Sequence, residues 1–375
     1  MTWQEHAQTL AHEVTHRGCW YGAVANIPRH LLVPHWWDDS KGHWVFRDGP
    51  SDPESWMAAA YSDQTLATQV GPLHADHAQP DDDPPGRPTS SSTLPGLVVA
   101  MLRHLHVPPG AAVLDVATGS GYSAALLCHQ LGDEHVTSID VDPYLTEVAA
   151  ERLDAIDLHP KVLTCDATGA LPGEYDRIVA MVSVQSIPPG WLTALRPGGR
   201  LVAVIANTSL IITANKTDDG GAVGRVEWDR AAFMETRTGP DYPPGLQGRF
   251  EAIQDGEDEE VTEGRYPVVN VSDAWDLASM LEVTAPGIEH FYRANDGSRT
   301  AWMIHEDGSW AVASAVGDEL PVVRQGGSRR LWDIPDDIRH RWLVEGELPL
   351  RGARVWIEPD GVIRLARAGW RATIP

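Results

Sequence analysis

Val113-Leu114-Asp115-Val116-Ala117-Thr118-Gly119-Ser120-Gly121-Tyr122 decides how this chain is read. An apolar strand runs into a glycine-bearing turn, and an apolar helix from Ala124 to Leu131 follows at once. In that geometry backbone N–H groups and a helix N-terminus can approach a nucleotide-like ligand closely. Asp115, expected at the strand's end, is a group of the kind that reaches a bound cofactor.

Working outward, the pattern from Thr89 to about Ala214 alternates strand and helix. Strands are expected over 112–116, 135–140, 161–165, 177–182 and 200–205. Helices are expected over 94–105, 123–131, 144–156 and 191–195, the first capped by the Ser/Thr cluster before it. Gly198-Gly199 should turn the chain ahead of the 200–205 strand. Strand and helix in alternation imply a parallel, doubly wound sheet.

Gly119-x-Gly121-x-x-Ala124 also satisfies the loose dinucleotide fingerprint, and Asp140, ending the next strand, suits a ribose hydroxyl in either reading. Three features break the tie. Asp115 stands where a dinucleotide fold usually has an apolar residue. Cys165-Asp166-Ala167 ends the third strand, where a carboxylate can accept from an adenine amine, although such acids also cap turns. Leu195-Arg196-Pro197-Gly198-Gly199-Arg200-Leu201 opens a late strand after Tyr175-Asp176-Arg177-Ile178-Val179. In this order the motifs resemble the class I S-adenosylmethionine (SAM)-dependent methyltransferases.

Thr93-Leu94-Pro95 leading into Val98–Leu102 narrows the likeness, because it resembles the Ser-x-Pro helix start of the protein-L-isoaspartate O-methyltransferases. Ile27-Pro28-Arg29-His30-Leu31-Leu32-Val33-Pro34 and the segment Ser138–Pro143 match as well, so the resemblance spans roughly residues 20 to 210. It implies SAM as cofactor, with contacts at Asp115, Ala117, Thr118, Gly119, Gly121, Tyr122, Asp140, Val141, Asp166 and Ala167. It implies that Thr93, with Ser91 and Ser92 beside it, aims a substrate carboxylate. Two positions depart from the pattern. Thr93 replaces the usual serine, and Ala117 replaces the first glycine of the turn, adding a Cβ near the methionine end. No metal is implied. His74, Asp76, His77, His104 and His106 lack a third ligand at diagnostic spacing and are expected as exposed loop and helix residues.

Composition sets bounds on partners and compartment. The chain has 375 residues, an ordinary 42% apolar content and a formal net charge of −24, which repels nucleic acid and anionic membranes. No apolar run approaches the roughly 20 residues of a membrane-spanning helix. Three widely spaced cysteines and the absence of a secretory pattern in MTWQEHAQTL suit a cytoplasmic location. Three regions are expected: an N-terminal helical segment (1–88) packing on the catalytic domain, the methyltransferase domain (89–214) and a separate α+β domain (215–375). The last holds hairpin signals at Asp307-Gly308 and Pro359-Asp360-Gly361, and the acidic stretch 254–264 is expected as a surface loop. The tryptophans, His35–Trp37 included, are expected mainly in the core.

The extension beyond Thr208 resembles a branch acting in the biosynthesis of ribosomally made, modified peptides of lanthipeptide or graspetide type. There the methylated aspartate of a cyclised precursor closes to an aspartimide. The expected function is thus SAM-dependent esterification of an Asp or isoAsp carboxylate in a peptide, with region 215–375 recognising the substrate. General isoaspartyl repair is the alternative within the class. A small-molecule methyltransferase and a non-catalytic SAM-fold binding module are the readings outside it. The sequence leaves the oligomeric state open.

Overall fold

The decisive stretch folds as strand Val113–Val116, a turn, and helix Tyr122–Leu131 in the computed structural model. The structure describes residues 1–375 except 238, 240, 244 and 251–259. Val113–Val116 is buried along its whole length and is flanked on both sides by parallel partners, Val136–Asp140 and Tyr175–Val184. Lys161–Thr164 continues the parallel set beyond Val136–Asp140, and Leu195–Ile205 continues it beyond Tyr175–Val184. The first three strands thus run outward in one direction and the fourth returns to the other side of Val113–Val116. The order reverses between Val113–Val116 and Tyr175–Val184, which is where open α/β sheets bind ligands at their carboxyl ends.

Side chains alternate across this sheet. Val113, Val179, Val202 and Val204 enter one core with helices Pro95–Leu105 and Tyr122–Leu131 and the N-terminal helix Trp3–Thr15. Leu114, Val116, Ile178, Ala180, Leu201 and Ala203 enter the other, as the two-residue strand period requires. The second core is completed by Trp191 and Leu192 and by C-terminal residues, among them Leu277, Met280, Leu281, Trp332, Leu350 and Val355.

The C-terminal region is therefore less separate than the sequence suggests. The boundary at 214 falls inside strand Leu210–Lys216, which pairs antiparallel with Leu195–Ile205. Ala222–Arg230, Arg354–Ile357, Ile363–Arg367 and Trp370–Ile374 then extend the same sheet to ten strands. An open sheet with one bare face would leave Leu114 and Ile178 in water, and the late segments cover that face. Among the described residues of this region, Glu260–Glu263, Val322–Gly326, Trp310–Val316, Ser298–Ile304 and Glu289–Asn295 form a sheet of their own. The two hairpins turn where expected, pairing Ser298–Ile304 with Trp310–Val316 and Arg354–Ile357 with Ile363–Arg367.

Other local expectations shift. Residues 254–259 of the acidic stretch lie outside the described residues, while Glu260–Glu263 is a strand rather than a loop, because it pairs with Val322–Gly326. Leu195–Ile205 runs through Gly198-Gly199 as a bulged strand, with a register shift between Leu195 and Arg200. The N-terminal region adds a five-stranded sheet to its helices. Its strand Pro88–Ser92 consumes the Ser/Thr cluster expected to cap the following helix. Asp63 supplies that cap from a distance, accepting from Gly96 N at 2.6 Å. Trp36 and Trp37 are buried as expected.

Candidate active site

The turn after Val113–Val116 is tied to its neighbours by backbone bonds. Ala117 N and Thr118 N both donate to Ile139 O, at 2.8 and 3.0 Å. Gly119 has φ +50°, and a Cβ there would sit 3.1 Å from Ser91 O. The glycine is thus required both by its left-handed backbone and by the close approach of the strand that carries Ser91. Gly121 (φ +83°) opens helix Tyr122–Leu131 with no side-chain cap, leaving first-turn N–H groups for a ligand. Ala117 also has a positive φ, +71°. A Cβ in that region costs about 1–2 kcal/mol, so the alanine substitution places strain at the site.

A cleft of about 880 Å³ opens above this turn. It brings together Ser91, Thr93, Ala117, Thr118, Gly119, Tyr122, Asp140, Val141, Asp166 and Ala167, drawn from the N-terminal strand and the carboxyl ends of three parallel strands. Asp140 Oδ2 accepts from Gly119 N at 3.0 Å and Oδ1 from Asp142 N at 3.2 Å. Burial raises its pKa from the ordinary carboxylate value, opposed by those two backbone bonds. Asp166 Oδ1 caps its own turn, accepting from Thr168 N (2.8 Å) and Thr168 Oγ1 (2.7 Å).

Three expected residues stand behind the cleft wall. Asp115 is fully buried beneath the floor, its Oδ2 accepting from Ser123 Oγ (2.9 Å) and Ser138 Oγ (2.8 Å). Its partner Ser123 does line the cleft. Burial pushes its pKa up to about 7, the serine hydroxyls opposing the rise and Asp140 adding to it. Ser92 points the opposite way from Ser91 and Thr93 and is buried against Arg29, whose Nε donates to its Oγ at 3.3 Å. Gly121 packs on helix Pro143–Asp154, where a Cβ would meet Ala149 and Leu153 at 3.5 Å.

Arg29 is a residue whose role the motif match leaves unread. Its guanidinium is buried and donates to the carbonyls of Ala60, Ser62, Gln64, Ser92 and Thr93 at 2.8–3.3 Å. It also lies over the Tyr122 ring, 5.4 Å from the centroid. One cation thereby fixes the backbone carrying Thr93 and a wall of the cleft. Burial lowers its pKa to about 10 and raises that of Tyr122 to about 12, so both keep their ordinary protonation at neutral pH. Tyr122 is buried, serving core and cleft wall together.

Sequence reasoning also missed the segment after Ala222–Arg230. Met234, Glu235, Thr236, Arg237 and Tyr242 line the cleft. Ser183 N donates to Met234 O at 2.8 Å and Thr236 N to Ser183 O at 2.9 Å, so the segment is stitched across the end of Tyr175–Val184. Arg237 pairs with Asp142 at 3.4 Å. No local signal marks these residues, because the pairing joins positions some fifty apart in sequence.

The histidine cluster has a structural explanation. His74 is buried rather than exposed. Asp76 gathers His35 Nδ1 (2.7 Å), Arg152 Nη2 (2.6 Å) and the Tyr144 hydroxyl (3.0 Å). That carboxylate fastens the N-terminal region to helix Pro143–Asp154. Among the described residues no group of three or more His, Cys, Asp or Glu is placed to hold a metal, and no helix is long and apolar enough to cross a membrane.

The donor set fits SAM. Asp140 and Asp166 offer carboxylates to a ribose and an adenine amine, Ile139, Val141 and Leu145 offer apolar surface, and the glycine turn leaves room for close backbone approach. Comparison with known proteins agrees. The family model "Protein-L-isoaspartate(D-aspartate) O-methyltransferase (PCMT)" matches residues 53–233. A protein-L-isoaspartate O-methyltransferase of Rhodopseudomonas palustris is 31% identical over 157 residues, 40% of this chain and 71% of that one. One from Archaeoglobus fulgidus is 26% identical over 219 residues, 57% of this chain and 83% of that one. A solved structure titled protein-L-isoaspartate O-methyltransferase superposes with a TM-score of 0.51 at 16% identity, covering 94% of this chain and 96% of its own. That last match shows the fold, and it includes the C-terminal region, so the extension does not by itself set this chain apart from proteins of that title. The chain belongs to the protein-L-isoaspartate O-methyltransferase family of SAM-dependent enzymes, which methylate protein carboxyl groups.

Proposed function

We propose that this protein esterifies the free α-carboxylate of isoaspartyl residues in peptides and proteins, as a general repair methyltransferase. The observation that carries the reading is that the hydroxyl-bearing residues Ser91 and Thr93 line the same cleft as the glycine turn. SAM, when bound, supplies an electrophilic methyl group. The chain's own task is placement. A substrate carboxylate has a pKa of about 4 and is already a nucleophile at neutral pH, so no general base is required. The Thr93 hydroxyl donates a hydrogen bond to one carboxylate oxygen and leaves the other free to attack, a gain in orientation rather than in acid–base chemistry. Arg29, gripping the carbonyls of Ser92 and Thr93, keeps that hydroxyl in place. Asp140 would take the ribose hydroxyls, Asp166 the adenine amine, and Asp115 would stiffen the floor through Ser123. The ester then loses methanol as the next backbone nitrogen attacks it, giving a succinimide that opens in water to aspartate or isoaspartate.

Thr93→Val tests the placement. It removes one hydrogen bond to a charged group, worth about 1.5–3 kcal/mol, so kcat/KM should fall roughly ten- to a hundredfold while SAM affinity is kept. Turnover equal to the wild type would refute the assignment. The specialised reading, one cyclised lanthipeptide- or graspetide-type precursor closing to an aspartimide, predicts activity on that precursor alone. General repair predicts methylation of short, unrelated isoaspartyl peptides.

A further inference from the structure

A second cavity of about 1170 Å³ adjoins the active-site cleft. The two share three wall residues, Met234, Glu235 and Tyr242, so the second cavity is a groove that borders the cleft. The far wall of the second cavity is Trp275 and His290, from the C-terminal region.

That wall is built to stay in place. Trp275 begins helix Trp275–Thr284, and the helix is locked to the end of the central sheet. Ser209 N donates to Ser279 Oγ at 2.9 Å. Arg351 pairs with Asp276 at 3.1 Å while donating to Ser209 O at 3.0 Å. On the near side, the Arg87 guanidinium stacks over Tyr242 at 4.7 Å. Between these braced walls Trp275 remains 41% exposed, beside Phe233 and Met234. A large aromatic partly open to water, lining with Phe233 and Met234 a groove that borders a catalytic cleft, is a candidate binding hot spot.

We infer that this groove holds the substrate chain next to the isoaspartate, and that Trp275 packs against a bulky apolar side chain of it. The inference rests on the proposed carboxyl methylation only in naming the occupant. It follows that the enzyme discriminates among isoaspartyl sites by their neighbours, a property located in the C-terminal region and not in the SAM-binding half.

The test is a direct titration that does not depend on turnover. Two labelled isoaspartyl peptides, one with leucines on both sides of the isoaspartate and one with glycines, are titrated into the full-length protein saturated with S-adenosylhomocysteine. Burial of a leucine side chain against Trp275 predicts about tenfold tighter binding of the leucine peptide. Trp275→Ala should abolish that preference and leave S-adenosylhomocysteine affinity unchanged, while Trp275→Phe should restore most of it. Equal binding of both peptides by the wild type, or a preference that survives in Trp275→Ala, would overturn the inference. A retained preference in the wild type without methyl transfer would count against the proposed function alone.

Discussion

Replacing Asp140 by asparagine probes the cofactor site with little change of shape. The carboxylate is 9% exposed and already accepts one backbone N–H on each oxygen, from Gly119 at 3.0 Å and Asp142 at 3.2 Å. Two carboxylate oxygens have about four acceptor positions, so one remains on each for the two ribose hydroxyls. Asparagine keeps a single acceptor oxygen and turns an NH2 group toward a backbone donor. One charge-assisted bond is lost and the other becomes neutral, at about 1.5–3 kcal/mol for the first and about 1 kcal/mol for the second. The sum, about 2.5–4 kcal/mol, weakens binding roughly seventy- to a thousandfold. Calorimetric titration with S-adenosylhomocysteine measures it, and a thermal melt checks the fold. Affinity within about threefold of the wild type, with Tm retained, would show that the Asp140 carboxylate does not hold the ribose.

Asp115→Asn should change how stability depends on pH. With a folded pKa of about 7 against an unfolded value near 4, the unfolded chain releases this proton first. Between those values it binds fewer protons than the native state, so Asp115 lowers stability progressively as pH rises through the window, by an amount on the order of 4 kcal/mol. The variant should therefore gain on the wild type between pH ~4 and ~7, read as a widening Tm difference; a constant difference would contradict the burial argument. Arg29→Met strands five carbonyls around an apolar tip and should cost about 3–5 kcal/mol in urea unfolding. A loss under about 1 kcal/mol would mean that water replaces the guanidinium.

The parts of the fold legible in the sequence are those whose cause is local. Val113–Tyr122 carries its own strand period, glycine turn and helix, and Asp140, Asp166, Ser91 and Thr93 reach the cleft because strand ends and the turn place them there. Ser92 was open to a correct reading. Strand alternation puts it on the face opposite Ser91 and Thr93, and what hid this was treating the Ser/Thr cluster as a helix cap. Asp115 was misplaced for the same kind of reason, since the second residue before the turn still lies in the sheet and below its end. The non-local features left no such trace. Arg29 finds its partners at Ala60 and Thr93, Met234 and Thr236 bond across the end of a strand formed much earlier, and the strands from Arg354 to Ile374 complete a sheet begun at Val113. Each depends on which face of the sheet remains to be covered, and that is decided by packing rather than by periodicity.

The most direct test of the account offers the purified protein SAM and two short peptides identical but for one residue, aspartate in the first and isoaspartate in the second, followed by mass spectrometry over time. The account predicts that the isoaspartyl peptide gains one methyl group, then loses methanol to give the succinimide, and that the aspartyl peptide is unchanged. Methylation of neither peptide, with SAM binding intact, would contradict it.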